Sequence, residues 1–522
     1  MRSLITLLVT AVLPLYAAIT KPVKVEGGQV QGVPAKDPSI TAFKGIPFAA
    51  PPTGDLRWRA PQPVIPWQGL RKADQFGNSC IQNIVAERKP WTYEFMTHTD
   101  VSEDCLFLNV WTGAKAAGEK RPVYIYIHGG GNTEGSGAVP AYDGEGLAKK
   151  GVVVVTINYR LGIFGFFTHP ELTAESGVRS SGNYALLDII AALHWVRNNI
   201  ATFGGNPDRV TIGGQSAGAA DVHCMVNSPL AKGLFHGAIA ESGSSVTGLG
   251  LMNSVRLADQ EKNGERFADA KGAHSIADLR KLSWKELIAP VQGAGRFGIV
   301  IDGYVQPMPA GETFAQGKQN DVPTLTGCNR EDLGGGSTHP TTTAEQFQHQ
   351  AQQRYADLSA EFLKLYPAPN DDQAKVVSNE SSWDSERANQ YFWAVARAKT
   401  AKTKAYTYFW EHVLPGPDAD RYGAFHTSEV PYVMNTLYTS ERPFTDEDRK
   451  IADQMSSYWV NFIRTGDPNG KGLAHWPSVS EQPGTTFEVG DKMAVIPVAG
   501  DKDKLAFFEA FLNKPRPPAA GR

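Results

Sequence analysis

Cysteine is scarce: four residues in 522, with no C-x-x-C pair among them. That leaves no room for a zinc scaffold or a dense disulfide framework, and the scattered histidines form no metal-binding cluster. No cofactor motif accompanies them, so metal-free and cofactor-free chemistry is the expectation. Charge of one sign is also missing. The formal balance is −3, without a long basic or acidic run, which argues against nucleic acid and against an anionic membrane surface. Internal repeats are absent, which excludes solenoids and propellers. Beyond the N-terminus no segment approaches ~18 uninterrupted apolar residues, so no stable membrane insertion is expected.

What is present describes a large folded chain. Hydrophobic residues make up 41% and aromatics 10%, enough for a sizeable core. The 52 glycines and 34 prolines are dispersed, as in a loop-rich globular protein rather than a disordered one. Arg2, the apolar stretch Leu4 to Leu15 and the small pair Ala17-Ala18 have the layout of a signal peptide over residues 1–18, hence a secreted or periplasmic protein. In an exported chain Cys80 and Cys105 are natural partners, closing a loop worth ~3 kcal/mol by chain entropy. Cys224 and Cys328 read as small buried hydrophobes.

Strands are predicted at Pro122–His128, Val152–Asn158, Val210–Gly213, Gly237–Ala240, Val322–Gly327 and Ala405–Trp410. Several are continuous apolar runs, the mark of central strands of a parallel sheet covered on both faces. Helical patterns alternate with them. The clearest spans Tyr184–Phe203, with Leu187, Ile190, Ala191, His194 and Trp195 at helical spacing. The expectation is one α/β domain over 19–512, a mostly parallel sheet with helices on both faces. Polar inserts near 251–300 and 340–400 are candidates for a cap, and 513–522 for a flexible tail.

Two glycine-rich turns carry the chemistry. Gly214-Gln215-Ser216-Ala217-Gly218 is a G-x-S-x-G sequence between the β-branched run Arg209–Ile212 and an Ala-rich helical segment, the strand–turn–helix context of a nucleophile elbow. His128-Gly129-Gly130-Gly131 follows a strand end, where glycine N–H groups can point into a cavity and hold a developing oxyanion. A serine nucleophile needs a base and an orienting carboxylate, in the chain order Ser, acid, His for this kind of elbow. Among the histidines after Ser216, His412 and His426 follow the Ala405–Trp410 strand, and His426 sits in a Gly-containing loop. The turn after the 322–327 strand offers Glu331 and Asp332 as acids. Position alone does not choose between the two carboxylates.

These segments, with Phe43–Ala49, Ser102–Val110, Asn158-Tyr159-Arg160, Gly182-Asn183-Tyr184 and Phe203–Pro207, give the chain a clear resemblance to the type-B carboxylesterases, the cholinesterase-like branch of the α/β-hydrolase fold, and to a bacterial, exported member of it. The match extends over nearly the whole mature sequence. It implies Ser216 as nucleophile, His426 as base and Asp332 as acid, in a position where the family more often has Glu, with Glu331 just before it. Gly130, Gly131 and Ala217 would supply the oxyanion N–H groups. The resemblance also implies a Cys80–Cys105 disulfide and two structural ion pairs, Arg57–Glu103 and Arg160–Asp188.

Two departures bear on substrate. Asn132 stands where an aromatic residue is usual, which implies a wider, more polar acyl side. Gln215 precedes the nucleophile where cholinesterases carry Glu, which removes a charge that would favour a cation. Both are expected to contact substrate, a neutral or anionic ester, small or polymeric. The rival readings are a non-catalytic scaffold of the same fold, which would lack the Ser or His found here, and a lipase or amidase, for which the inserts look too polar to form an apolar lid.

Overall fold

The computed structural model describes residues 19–243, 255–332 and 341–514. The signal-peptide expectation falls on residues 1–18 and most of the tail expectation on 515–522; both lie outside the described residues.

Eleven strands form the main sheet. In chain order they are β1 (Val33–Pro34), β2 (Thr41–Pro47), β3 (Phe107–Thr112), β4 (Arg121–Ile127), β5 (Val153–Ile157) and β6 (Gly205–Gln215). There follow β7 (Gly237–Glu241), β8 (Thr324–Asn329), β9 (Ala405–Trp410), β10 (Thr485–Val489) and β11 (Ala494–Pro497). Across the sheet the order is β11-β10-β9-β8-β7-β6-β4-β5-β3-β2-β1. The run from β10 to β5 is parallel, and antiparallel strands close both edges. All six predicted strands are present. The other five were not predicted as strands; the longest of them, β2 and β3, pair antiparallel in the sequence before the first α/β alternation.

β-branched and aromatic residues make the central strands. Val153, Val154, Val155 and Ile157 of β5 are fully buried, as are Val123 to Ile127 of β4, so each strand faces apolar packing on both sides. Between the strands lie α1 (Tyr184–Asn199), α2 (Ala217–Asn227), α3 (Leu257–Ala270), α4 (Asp371–Ala398) and α5 (Asp446–Thr465). The helix predicted at 184–203 is present as α1 and a short 3-10 turn, and its core-facing side overlaps the predicted stripe only in part. Leu186, Ile189, Leu193 and Val196 are the buried face, whereas Leu187 and Ala191 are half-buried and His194 is exposed. Ile190 and Trp195 of the predicted stripe are buried as well, so periodicity finds part of the buried side and misses the rest because the helix is apolar on more than one face.

The two inserts differ. Residues 255–301 form α3, two short helices and a two-stranded ribbon beside the sheet. Arg57 ties this insert down, donating to the carbonyls of Arg280 (3.1 Å) and Leu282 (2.8 Å) while pairing with Glu103 at 2.6 Å. From the 340–400 insert, α4 is instead a layer of the main sandwich: it lies on β8 and β9 and buries Ala388, Trp393 and Ala394 in the core. Arg160 and Asp188, both buried, form the second ion pair at 2.7 Å, and Cys80 is bonded to Cys105 with Cα atoms 4.9 Å apart. Cys224 and Cys328 are buried and unbridged. Among the described residues no helix is long and apolar enough to cross a membrane.

Candidate active site

Parallel strands bring their carboxyl ends to one edge of the sheet, where open α/β sheets place ligands. β6 ends at Gln215 and hands directly to α2, so Ser216 occupies the turn. Its backbone is in the left-handed region, with φ 59° and ψ −123°. A non-glycine residue there stores strain of roughly 1–3 kcal/mol. The turn is held by the Ser216 N–H donating to the Glu241 carbonyl (2.8 Å) and by the Ser216 carbonyl accepting from Ala220 N–H (3.0 Å). Sterics close it further: a Cβ on Gly218 would collide with the Ile127 carbonyl oxygen at the end of β4. Glycine is therefore required for the elbow to lie against the neighbouring strand.

The same β4 end carries the glycine loop. Gly130 has φ 104°, and a Cβ on it would collide with the Glu134 carbonyl oxygen, so the loop too exists only without a side chain. Among the described residues, no acceptor takes the N–H of Gly130, Gly131 or Ala217. The loop borders the cavity that exposes Ser216, so such donors are available to a ligand there.

Two loops beyond β8 and β9 supply the other side. Asp332 accepts from His426 Nδ1 at 2.5 Å. Burial pulls the His426 pKa down, but the Asp332 carboxylate opposes this through charge and hydrogen bond, and the net shift is upward. Glu331 faces elsewhere: its carboxylate accepts from Arg330 Nε (2.9 Å) and from the Ala424 N–H (2.7 Å), and its own N–H reaches the Ala424 carbonyl. It thereby ties the acid loop to the loop bearing His426. His412, the other histidine considered, bridges Asp448 (2.9 Å) and Asp491 (2.5 Å) and does not border the cavity.

Trp91 holds the histidine loop from outside, its indole N–H lying 3.0 Å from the His426 carbonyl and 3.2 Å from Thr427 Oγ1. Glu429, three residues after His426, is buried and accepts from Asn329; burial, then the neighbouring Glu241, pushes its carboxyl up to about 8. Glu241 is raised to about 8 by burial in turn and accepts from the Trp459 indole at 2.7 Å. Two buried carboxyls with raised pKa values thus lie close to one another near the histidine loop.

Ser216, His426, Gln215 and the glycine loop share one cavity of about 450 Å³. Gln215 lies against the imidazole, its amide nitrogen 3.2 Å from Nε2 and 3.4 Å from Nδ1, and its carbonyl accepts from Thr427 Oγ1 at 3.3 Å. Trp91, Phe95, Val139 and Tyr142 give the cavity an apolar wall, part of it from the loop closed by the disulfide. Asn132 is placed differently from the sequence expectation. It does not line the cavity: its amide donates to Asp221 Oδ1 at 3.3 Å, and its carbonyl accepts from Tyr159 Oη at 3.2 Å. Tyr159 Oη also reaches the His128 carbonyl at 2.7 Å, so this buried set brackets the glycine loop at both ends. Asp221 is fully buried, which pushes its carboxyl up to about 8. No sequence signal singled out Asp221, because its partner lies 89 positions away.

Residues 20–508 match the model of the carboxylesterase family. The chain belongs to the carboxylesterase family. Among its relatives, a fumonisin B1 esterase of Sphingopyxis macrogoltabida is 37% identical over 467 residues, covering 87% of this chain and 83% of the relative. A cocaine esterase of Oryctolagus cuniculus is 36% identical, covering 86% of this chain and 88% of the relative. A pyrethroid hydrolase of Rattus norvegicus is 34% identical, with 87% and 83% covered. As a member of this family the protein is a carboxylic-ester hydrolase, and its sheet is that of the α/β-hydrolase fold.

Proposed function

We propose that this carboxylesterase works through an acyl-enzyme on Ser216, with His426 as general base, Asp332 as its orienting acid, and the Gly130, Gly131 and Ala217 N–H groups as the oxyanion hole. The observation that carries the reading is the 2.5 Å contact between Asp332 and His426 beside a strained serine in the same cavity. His426 Nε2 takes the Ser216 proton, and the alkoxide attacks the ester carbonyl. The tetrahedral oxyanion forms beside the three N–H groups, each worth roughly 3 kcal/mol of barrier. The imidazolium then protonates the leaving alcohol, and water repeats the cycle on the acyl-enzyme. Asp332 fixes the tautomer with the proton on Nδ1, which makes Nε2 an acceptor; the Gln215 amide nitrogen stands 3.2 Å from it and must give way to the Ser216 hydroxyl.

Export fits the disulfide, since such bonds persist in oxidising compartments. The substrate reading is an ester that is neutral or anionic, small or polymeric, because Gln215 puts an amide rather than a carboxylate beside the nucleophile. Incubation with an organophosphate followed by peptide mapping tests the proposal. An adduct on Ser216 with loss of esterase activity is expected; inhibition with label elsewhere overturns the assignment.

A further inference from the structure

The charges bordering the catalytic cavity do not cancel. Arg88, Glu134, Arg296 and His426 are the ionisable side chains of the lining that carry or gain charge near neutral pH. Arg88 and Glu134 neutralise each other in a two-pronged pair, at 2.6 and 2.9 Å. His426 is matched by Asp332. Arg296 is left over. Among the described residues its guanidinium has no ion pair, hydrogen bond or ring contact. The segments outside the description contain no Asp or Glu, so none of them brings a side-chain carboxylate to it either.

The backbone that presents this arginine is fastened on both sides. The Gln260 amide donates to the Arg296 carbonyl at 2.7 Å, and Asn263 accepts from the Gly295 N–H at 2.5 Å while donating to the Gly295 carbonyl at 3.1 Å. On the other side Phe297 packs against Phe167 and Phe267, with ring centroids 5.1 and 5.8 Å apart. Two buried amides on α3 and an aromatic cluster thus hold the chain while the long cationic side chain stays exposed at the cavity. A fixed backbone with a free guanidinium is the arrangement that recognises a planar anion without ordering a loop.

We infer that Arg296 is a specificity residue that binds a second, ionised carboxylate on the ester substrate, so that the preferred substrates are half-esters and other esters carrying a free acid group. The inference rests on Ser216 and His426 being the reacting centre in that same cavity. Cationic esters find no unpaired acid there, whereas a carboxylate finds one unpaired donor fork. Of the two inserts, the 255–301 segment therefore reaches the substrate.

The test compares p-nitrophenyl butyrate, which is neutral, with p-nitrophenyl hemiglutarate, whose acid lies on the acyl side, and 4-acetoxybenzoate, whose acid lies on the leaving group. For each variant the readout is the ratio of kcat/KM for a charged ester to that for the neutral one. R296A is expected to lower this ratio roughly 10-fold for at least one of the charged esters, R296E to lower it further, and R296K to restore part of it. In the unaltered protein, raising salt from low ionic strength is expected to depress the charged-ester rate selectively, a readout that needs no variant. If the neutral ester is hydrolysed but the ratios and their salt dependence ignore Arg296, the carboxylate inference is wrong and the esterase mechanism stands. If S216A hydrolyses the esters as fast as the unaltered protein, the mechanism beneath it fails instead.

Discussion

The elbow that carries Ser216 and the pair of loops that carry Asp332 and His426 meet at one cavity but are built by different physics. The elbow is shaped by exclusion: β6 runs straight into α2, and the backbone conformation exists because Gly218 leaves room for the end of β4. The loops are shaped by attraction. Glu331 to Ala424, Asn329 to Glu429 and Trp91 to His426 tie three separate segments together through polar contacts. Steric exclusion has few solutions and leaves a short, local signature. Polar tethering has many solutions and spreads its signature over distant positions.

The sharpest way to break the elbow side is to remove its proposed nucleophile. Ser216→Ala is expected to lower kcat by roughly 10⁴–10⁶-fold with the fold retained, since in the proposed mechanism the hydroxyl bonds to the acyl carbon. Circular dichroism and turnover of a p-nitrophenyl ester check this together. On the loop side, Asp332→Asn is expected to cost roughly 10³–10⁴-fold, because an amide stabilises the wrong imidazole tautomer. Glu331→Gln removes only a tether and is expected to cost about tenfold. The reverse ranking would move the acid to Glu331.

The acid limb of the pH–rate profile sharpens the same contrast. His426 must be neutral to act as base, and its pKa lies above the ordinary 6.5 because Asp332 outweighs burial. Activity is therefore expected to rise with pH through a midpoint above 6.5. With Asp332→Asn the burial effect remains and the opposing charge is gone, so residual activity is expected to show its midpoint at lower pH. An unmoved midpoint would mean that the limb reports another group. Gly218→Ala probes exclusion by itself. The added methyl meets the Ile127 carbonyl, and overpacking of this kind costs about 1–3 kcal/mol. Gly298→Ala, where a Cβ meets nothing within 4 Å, is the matched control. Denaturant midpoints of the two separate crowding from a generic loss of glycine.

This difference also explains what the sequence made legible. The six central strands, the G-x-S-x-G turn, the glycine loop and the Cys80–Cys105 bond can all be read from local pattern, and each is present in the fold. Local pattern left Glu331 and Asp332 equal; only the family resemblance implied Asp332, which the fold brings to His426. Asn132 was expected to border the substrate because it replaces a large residue. It turns instead to Asp221 and Tyr159, a satisfied buried contact that no local pattern encodes. The long helix α4 looked like a cap insert because it is polar along much of its length. It covers the sheet because Ala374, Val377, Ala388, Tyr391, Trp393 and Ala394, spread along its length, are buried in the core. Arg296 carries no motif at all; only its place at the cavity and the lack of a partner among the described residues single it out.

The gentlest test concerns the tether that reaches furthest. Trp91 belongs to the loop closed by the disulfide, yet its indole N–H contacts the His426 carbonyl and Thr427 Oγ1. Trp91→Phe keeps an aromatic ring in the cavity wall and deletes the donor. Thr427 is buried and its Oγ1 keeps its bond to Gln215 Oε1, whereas the His426 carbonyl loses its donor, so the stability cost is roughly 1–3 kcal/mol. If attraction positions the base, kcat is expected to fall a few-fold with KM nearly constant, since the looser histidine is missed in the transition state more than in binding. A rise in KM at constant kcat would instead make Trp91 a wall residue that binds substrate, and the base would be held without it by Asp332 and the Glu331 tether.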